Sequence, residues 1–400
     1  MKAIRFTLAA VIAAFFSLTC LAGKYDPRSG MVEGDSWEFS VSVQTLPAGS
    51  YIQFGVNMEN LGKKAPLHYL VEFFDGGEWV TDPSFVYEDG LSSYSFRTVS
   101  STFRHPSSFM ALYKLTAEVK DSLKVRCRVC SPFAADGSML SADEPENRVE
   151  LKKGSYVGWR LKPLGRADGF AEKRILLIGN SFTYFFGEPF MLQEIAFSQG
   201  VLLQVNASLK GGQTYRQHCG LDMTVAQCEL PRSYDYAIIQ GQSQEPGRYA
   251  AAPDSLKDVR DAFCKLCTMI RSAHPDCRVF VERTWAYPAV DNGGFASLEE
   301  FDRCLDLGSS MLAEAAACER TLVGAAFTRA RAEVPDILLL DYDDKHQSPA
   351  GSYLKACLTW LTLSGRTRFD GSVPTCGLRQ EDAAAFRRVA EEVAGDVLAP

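Results

Sequence analysis

Three short segments of this 400-residue chain end in residues able to carry out nucleophilic chemistry. Gly179-Asn180-Ser181-Phe182-Thr183 sets a serine two positions after a glycine, and Asp341-Tyr342-Asp343-Asp344-Lys345-His346 sets acids just before a histidine. Between them lies Gln240-Gly241-Gln242-Ser243, an amide-rich turn. A serine hydroxyl is a weak nucleophile and needs a base within hydrogen-bond reach. Of the five histidines, His346 stands just beyond an apolar run with an acid three residues before it. Asp343 is placed to hold the imidazole in the tautomer that accepts the serine proton, with Asp341 and Asp344 as competitors for that role. The plain alternative is a Gly-Asn-Ser turn and a surface histidine.

Each segment follows a continuous apolar run. Ile175–Ile178, Val201–Val205, Tyr236–Ile239, Val279–Val281 and Ile337–Leu340 read as strands buried on both faces. Helical stripes separate them, one through Leu256, Val259, Phe263, Leu266, Cys267 and Ile270, another through Phe386, Val389 and Val393. A further helix is expected around Pro189–Gln199. Strands alternating with helices give an α/β domain with a parallel sheet covered on both faces. Such sheets bind ligands beyond the carboxyl ends of their strands, where the serine, the acid and the histidine all fall.

Upstream the pattern changes. Between 31 and 165 apolar residues alternate with polar ones, as in Trp37, Phe39, Val41 and Val43, or Phe109, Ala111, Tyr113, Leu115 and Ala117. Alternation at period two means strands with one buried face. The expectation is a β-sandwich, jelly-roll-like, of about seven to nine strands. A linker rich in glycine and charge, 165–173, with Gly165, Asp168, Gly169 and Lys173, separates the halves. The expected domains are therefore 24–165 and 173–400.

Residues 1–22 read as a signal peptide: Lys2 and Arg5, then an apolar stretch from Leu8 to Leu18, then small residues around Cys20-Leu21-Ala22-Gly23. Cys20 is a candidate lipid anchor, although Ser17 and Thr19 stand where a lipobox favours Leu and a small residue. The expected location is therefore exported: periplasmic, extracellular or on the outer surface. The net charge of −7 argues against nucleic-acid binding. No apolar run beyond the leader reaches the ~18 residues of a membrane span.

Twelve cysteines include Cys20. Export permits disulfides, with Cys219–Cys228 and Cys357–Cys376 as local candidates. Cys127-x-x-Cys130 and Cys264-x-x-Cys267 resemble half zinc sites, but no matching histidine pair accompanies them, so they read as structural and no metal is expected.

Ile175-Leu-Leu-Ile-Gly-Asn-Ser-Phe-Thr183 resembles the first block of the SGNH hydrolases, also called GDSL esterases and lipases. Asp343-x-x-His346, followed by Ser348-Pro-Ala-Gly-Ser-Tyr-Leu354, resembles their last. The resemblance covers 173–400 and implies a flavodoxin-like α/β/α sandwich. It implies catalysis by Ser181, His346 and Asp343 without a cofactor, and an oxyanion hole of the Ser181 N–H, a glycine N–H and a side-chain amide. Gly212 fits the glycine, with Gly211 beside it. The family's Gly-x-Asn-Asp is absent, and Gln242, or alternatively Gln240, stands in for its asparagine. The Gly-Asn-Ser-Phe block resembles a divergent exported bacterial branch.

The leading expectation is a serine esterase removing acyl groups, acetyl above all, from carbohydrate. One rival is a lipase or esterase acting on other esters. Another is a glycan-binding protein with an impaired hydrolase half, in which Trp37 and Trp79 of the β-domain stack on sugars. Around the site, His218 reads as structural, Trp285 as a sugar platform or a core residue, and Glu245 as solvated.

Overall fold

The computed structural model describes residues 24–26, 31–34, 36–59, 66–80, 97–98, 108–130, 151–230, 233–288 and 294–398. The leader expected at 1–22, with Cys20, lies outside these residues, as does the burial of Trp37, Cys127 and Cys130.

Alternation in the first half yields antiparallel strands: β1 (Lys24–Asp26), β2 (Met31–Gly34), β3 (Ser36–Ser42), β4 (Ser50–Glu59), β5 (Pro66–Asp75), β6 (Glu78–Val80), β7 (Arg97–Thr98), β8 (Ser108–Lys114), β9 (Ser122–Cys130) and β10 (Leu151–Arg166). One sheet runs β1-β2-β10-β4-β8 and the other β3-β9-β5-β6, with β7 beside β5. Ile52, Phe54, Phe73, Tyr113, Leu123 and Val125 are buried. Phe73 packs edge-on to Phe54 of the other sheet at 5.7 Å and stacks on Tyr113 at 4.2 Å, which joins the two layers. Trp79 is half-buried under the Arg126 guanidinium, 4.5 Å from its ring centroid.

Residues 167–170 turn the chain into the second half, where β11 (Ala171–Gly179), β12 (Val201–Leu209), β13 (Tyr236–Ile239), β14 (Arg278–Glu282) and β15 (Glu319–Thr321) form a parallel sheet in the order β12-β11-β13-β14-β15. This is the doubly wound order whose switch point lies between the first and third strands, here β11 and β13. The side chains of β11 divide by parity. Ile175 and Leu177 join one core, and Leu176 and Ile178 join the other. The connecting helices are α1 (Ser181–Tyr184), α2 (Glu188–Ser198), α3 (Tyr215–His218), α4 (Asp222–Cys228), α5 (Glu245–Ala251), α6 (Lys257–Ala273), α7 (Leu298–Ala315), α8 (Val323–Glu333), α9 (Pro349–Ser364) and α10 (Gln380–Leu398). Helices α2, α8, α9 and α10 cover the first face, and α4 and α6 the second. Both expected stripes are buried on α6 and α10, save Leu256, which is half-buried just before α6.

Ile337–Leu340 is not a strand of this sheet, contrary to expectation; β15 takes the fifth place. Leu338 is 70% exposed, so only Leu339 and Leu340 of the run are buried. The run's backbone pairs instead with the histidine loop, residues 346–348. Ser348 N–H donates to the Leu339 carbonyl at 2.9 Å and Asp341 N–H to the His346 carbonyl at 2.8 Å.

The β-strands press on α2. Gln53 of β4, fully buried, donates to the Phe190 carbonyl at 3.0 Å and to Gln193 Oε1 at 2.8 Å. Lys162 of β10 pairs with the buried Glu194 carboxylate.

The expected disulfides do not form, and Cys219, Cys228, Cys357 and Cys376 are free thiols. Cys219 Sγ points to the Ala262 carbonyl at 3.3 Å and Cys376 Sγ to Glu194 Oε2 at 3.5 Å, while burial pushes the Cys228 thiol up to about 12. Among the described residues no helix is long and apolar enough to cross a membrane.

Candidate active site

Strand β11 ends at Gly179 and the chain must turn sharply to place Ser181 at the first position of α1. A Cβ on Gly179 would lie 2.5 Å from Thr183 Oγ1 and 3.0 Å from Gln240 Oε1, so the turn excludes a side chain there. Asn180 caps α1, its Oδ1 accepting from Phe182 N–H at 3.1 Å. Its amide nitrogen then donates to two other loops, to the Gly241 carbonyl at 2.8 Å and the Gln213 carbonyl at 3.2 Å. An aspartate could cap the helix equally well but could not donate to those carbonyls.

The strand β13 side of the switch point supplies the second brace. Gln240, fully buried, accepts through Oε1 from Asn180 N–H at 3.0 Å and from the Thr183 hydroxyl at 3.1 Å. Its amide nitrogen donates to the Gly241 carbonyl. The Gln240 side chain therefore supports the serine turn. Gln242 folds into its own loop, Oε1 accepting from Gln244 N–H at 2.8 Å and Nε2 donating to Ser243 Oγ at 3.4 Å. Gly212 sits exposed at φ +70°, a backbone conformation that favours glycine.

Glu245 is not solvated as expected. It is buried, and its carboxylate accepts from Tyr215 N–H at 3.0 Å and Gln242 N–H at 3.1 Å. Burial pushes it up to about 7 against those two hydrogen bonds. It thus ties the loop after β12 to the loop after β13. Its only sequence signal was its place after the amide-rich turn. His218 is fully buried with Nδ1 3.0 Å from the Thr224 hydroxyl, and burial lowers it to about 4, so it stays neutral and structural.

The histidine arrives on the loop before α9. His346 Nε2 lies 2.7 Å from Ser181 Oγ, and His346 Nδ1 lies 2.5 Å from Asp343 Oδ2. Asp343 Oδ1 also accepts the backbone N–H groups of His346 at 2.9 Å and Lys345 at 3.1 Å, which fixes the carboxylate within its own loop. Burial alone would raise the Asp343 carboxyl, but these bonds to His346 and Lys345 outweigh it and hold it below the usual aspartate range. For His346 burial wins the other way, lowering its pKa against the raising effect of Asp343. The imidazole stacks on Phe185 at 4.0 Å and meets Phe182 edge-on at 5.3 Å. The structure thus brings Ser181, His346 and Asp343 together in one line. Asp341 and Asp344, the competing acids, do not occupy the position on Nδ1.

Trp285 is part of the core. It is fully buried between Phe182 at 4.3 Å and Phe327 at 4.3 Å, both nearly parallel to it, and its indole N–H donates to the Lys345 carbonyl at 3.0 Å. The stack therefore joins the serine turn to the histidine loop. Among the described residues no cluster of three or more His, Cys, Asp or Glu side chains is arranged to hold a metal ion.

No family model matches the chain, and no curated protein does. Solved structures do. A DUF4886 family protein from Bacteroides uniformis is 19% identical, with a TM-score of 0.47 over 56% of this chain and 94% of its own. A protein from Slackia heliotrinireducens assigned to the SGNH hydrolases is 24% identical, with a TM-score of 0.40 over 48% of this chain and 99% of its own. A carbohydrate esterase family 2 enzyme with a carbohydrate-binding domain, from Corynascus thermopiles, covers 87% of this chain and 98% of its own, at 13% identity and a TM-score of 0.37.

Two substitutions test these assignments. Asn180→Asp should cost about 1–3 kcal/mol of stability at neutral pH in urea denaturation, because it sets a carboxylate against two carbonyl oxygens. Trp285→Ala should cost about 3–5 kcal/mol, whereas a surface sugar platform would leave stability within about 0.5 kcal/mol.

Proposed function

We propose that this chain is a serine esterase of the SGNH type that removes short acyl groups, acetyl foremost, from carbohydrate. The observation that carries the proposal is the line Ser181 Oγ, His346 Nε2, His346 Nδ1, Asp343 Oδ2, with contacts of 2.7 and 2.5 Å. In this reading Ser181 Oγ attacks the ester carbonyl carbon while its proton passes to His346 Nε2. Asp343 keeps the Nδ1 proton in place and stabilises the imidazolium. The tetrahedral intermediate collapses with cleavage of the bond to the sugar oxygen, which takes the proton from His346. Water, deprotonated by the same imidazole, then attacks the acyl-serine, and the second tetrahedral intermediate breaks its bond to Ser181 Oγ, which takes the proton back from His346 as the carboxylic acid leaves.

The negative charge on the carbonyl oxygen needs donors aimed at it. The Ser181 N–H and the Gly212 N–H are the proposed backbone pair. Gln242 is the proposed third donor, since among the described residues its amide nitrogen is held only by the 3.4 Å contact to Ser243. Gln242 is preferred to Gln240, whose buried amide nitrogen already donates to the Gly241 carbonyl. Export and a β-domain that recognises the glycan complete the proposal. They are supported by the basic-apolar leader and by a two-sheet domain braced on the helix just after the nucleophile turn.

Ser181→Ala and His346→Ala should each lower acetate release from acetylated xylan or acetylated sugars by several orders of magnitude with the fold intact. Asp343→Asn should lower it by up to ~10⁴, through the wrong tautomer. Turnover restricted to long-chain lipid esters would replace this reading with a lipase, and silent Ser181→Ala would remove it.

The pH profile has a fixed sign. Catalysis needs neutral His346, and burial lowers its pKa. Activity should therefore be present above the folded pKa and lost as pH falls through it. The acid limb of kcat/KM should lie below the ordinary histidine value of about 6.5. An acid limb above that value would contradict the assignment of the base.

A further inference from the structure

Behind the nucleophile turn lies a buried ion pair that the reaction above does not use. Lys355 of α9 and Glu282 at the end of β14 meet at 2.8 Å with side chains 2% and 1% exposed. Such a pair seldom stabilises a fold, because the cost of removing two charges from water offsets their attraction, and apolar replacements are often neutral. The Lys355 ammonium makes one more bond, to the Phe182 carbonyl at 2.8 Å, the residue directly after Ser181.

That carbonyl has a reason to need a donor. Helix α1 stops at Tyr184, and Phe186 takes φ +51°, so this single turn cannot continue; the Ser181 carbonyl accepts from Phe185 N–H, but the Phe182 carbonyl takes its donors from elsewhere. The segment just after His346 supplies them. Gln347 Nε2 donates to the Phe182 carbonyl at 3.1 Å, Ser352 Oγ to the Phe185 carbonyl at 3.1 Å, and Lys355 Nζ to Phe182. The charged bond is the strongest of the set. Base and nucleophile are thus fastened to one another by backbone carbonyls of one turn and side chains at and just before one helix.

Resting on the esterase reading, we infer that Lys355, held by Glu282, is a positioning residue that sets the place of Ser181 Oγ through the Phe182 carbonyl. Lys355 touches no reacting atom. Glu188, buried beside the pair, is pushed up to about 8 by burial, against the attraction of Lys355.

The test uses the full chain and a reactive fluorophosphonate, which reports the serine without knowledge of the natural ester. The double variant Glu282→Leu/Lys355→Met removes both charges together. It should stay folded and label on the order of 10–100-fold more slowly than the wild type, the scale of a nucleophile displaced by about 1 Å. Its kcat on p-nitrophenyl acetate should fall by the same factor with KM little changed. Lys355→Met alone should lose at least as much, and Lys355→Arg, which keeps the charge and a donor, should recover part of it. A folded double variant that labels at the wild-type rate, or a loss confined to KM, overturns the inference. If the double variant does not fold, a folded Lys355→Met labelling at the wild-type rate overturns it equally. Wild-type protein that does not label at all would instead refute the esterase reading, and this inference with it.

Discussion

A contact of 2.7 Å joins Ser181 Oγ to His346 Nε2 across 165 positions of sequence, and most of the second half of the chain can be understood as closing it. Neither group could hold the distance alone. Ser181 sits on one turn of helix that ends almost at once, and His346 sits on a loop. The parallel sheet solves half of the problem. It places β11 beside β13, so that the serine turn and the amide-rich turn leave the same edge at the switch point. Asn180 and Glu245 then tie the loops after β11, β12 and β13 into one unit. The stack of Phe182, Trp285 and Phe327 solves the other half, because Trp285 also holds the histidine loop through the Lys345 carbonyl.

This arrangement makes the site a rigid assembly of bonded polar groups. Buried polar side chains such as Gln240, Glu245 and Lys355 are costly unless satisfied; Gln240 and Lys355 bond to backbone of the serine turn and Glu245 to backbone after β12. The β-sandwich enters the same scheme from outside. Gln53 and Lys162 bear on α2, which begins just after the turn that carries Ser181 and Phe185. Tyr51 of the sandwich lies 6.4 Å from Phe197 at the far end of that helix. The two halves therefore share α2 as a common wall.

Much of this was legible in the sequence, for definable reasons. Continuous apolar runs marked β11, β12, β13 and β14, because a strand buried on both faces has no polar side. Period-two alternation marked the sandwich for the opposite reason. Ile337–Leu340 misled because four apolar residues also suit a loop that buries only its last two. The true fifth strand, Glu319-Arg320-Thr321, is polar and short, and its pairing with β14 gives no hydrophobic signal. Glu245 was read as solvated and Lys355 was missed because burial of a charge cannot be read from its neighbours in sequence; Tyr215 lies 30 positions from Glu245 and Glu282 lies 73 from Lys355. Trp285 left two readings open because an aromatic at a strand end suits either a core or a platform, and only the flanking Phe182 and Phe327 decide it.

Covalent catalysis at Ser181 is the central claim, and acid-quenched mass spectrometry during turnover of an acetyl ester tests it most directly. The expected result is one acetyl group on the peptide that carries Ser181, formed within the first turnover and absent from Ser181→Ala. Turnover with no adduct on that peptide, or with the acetyl group on another residue, would contradict it.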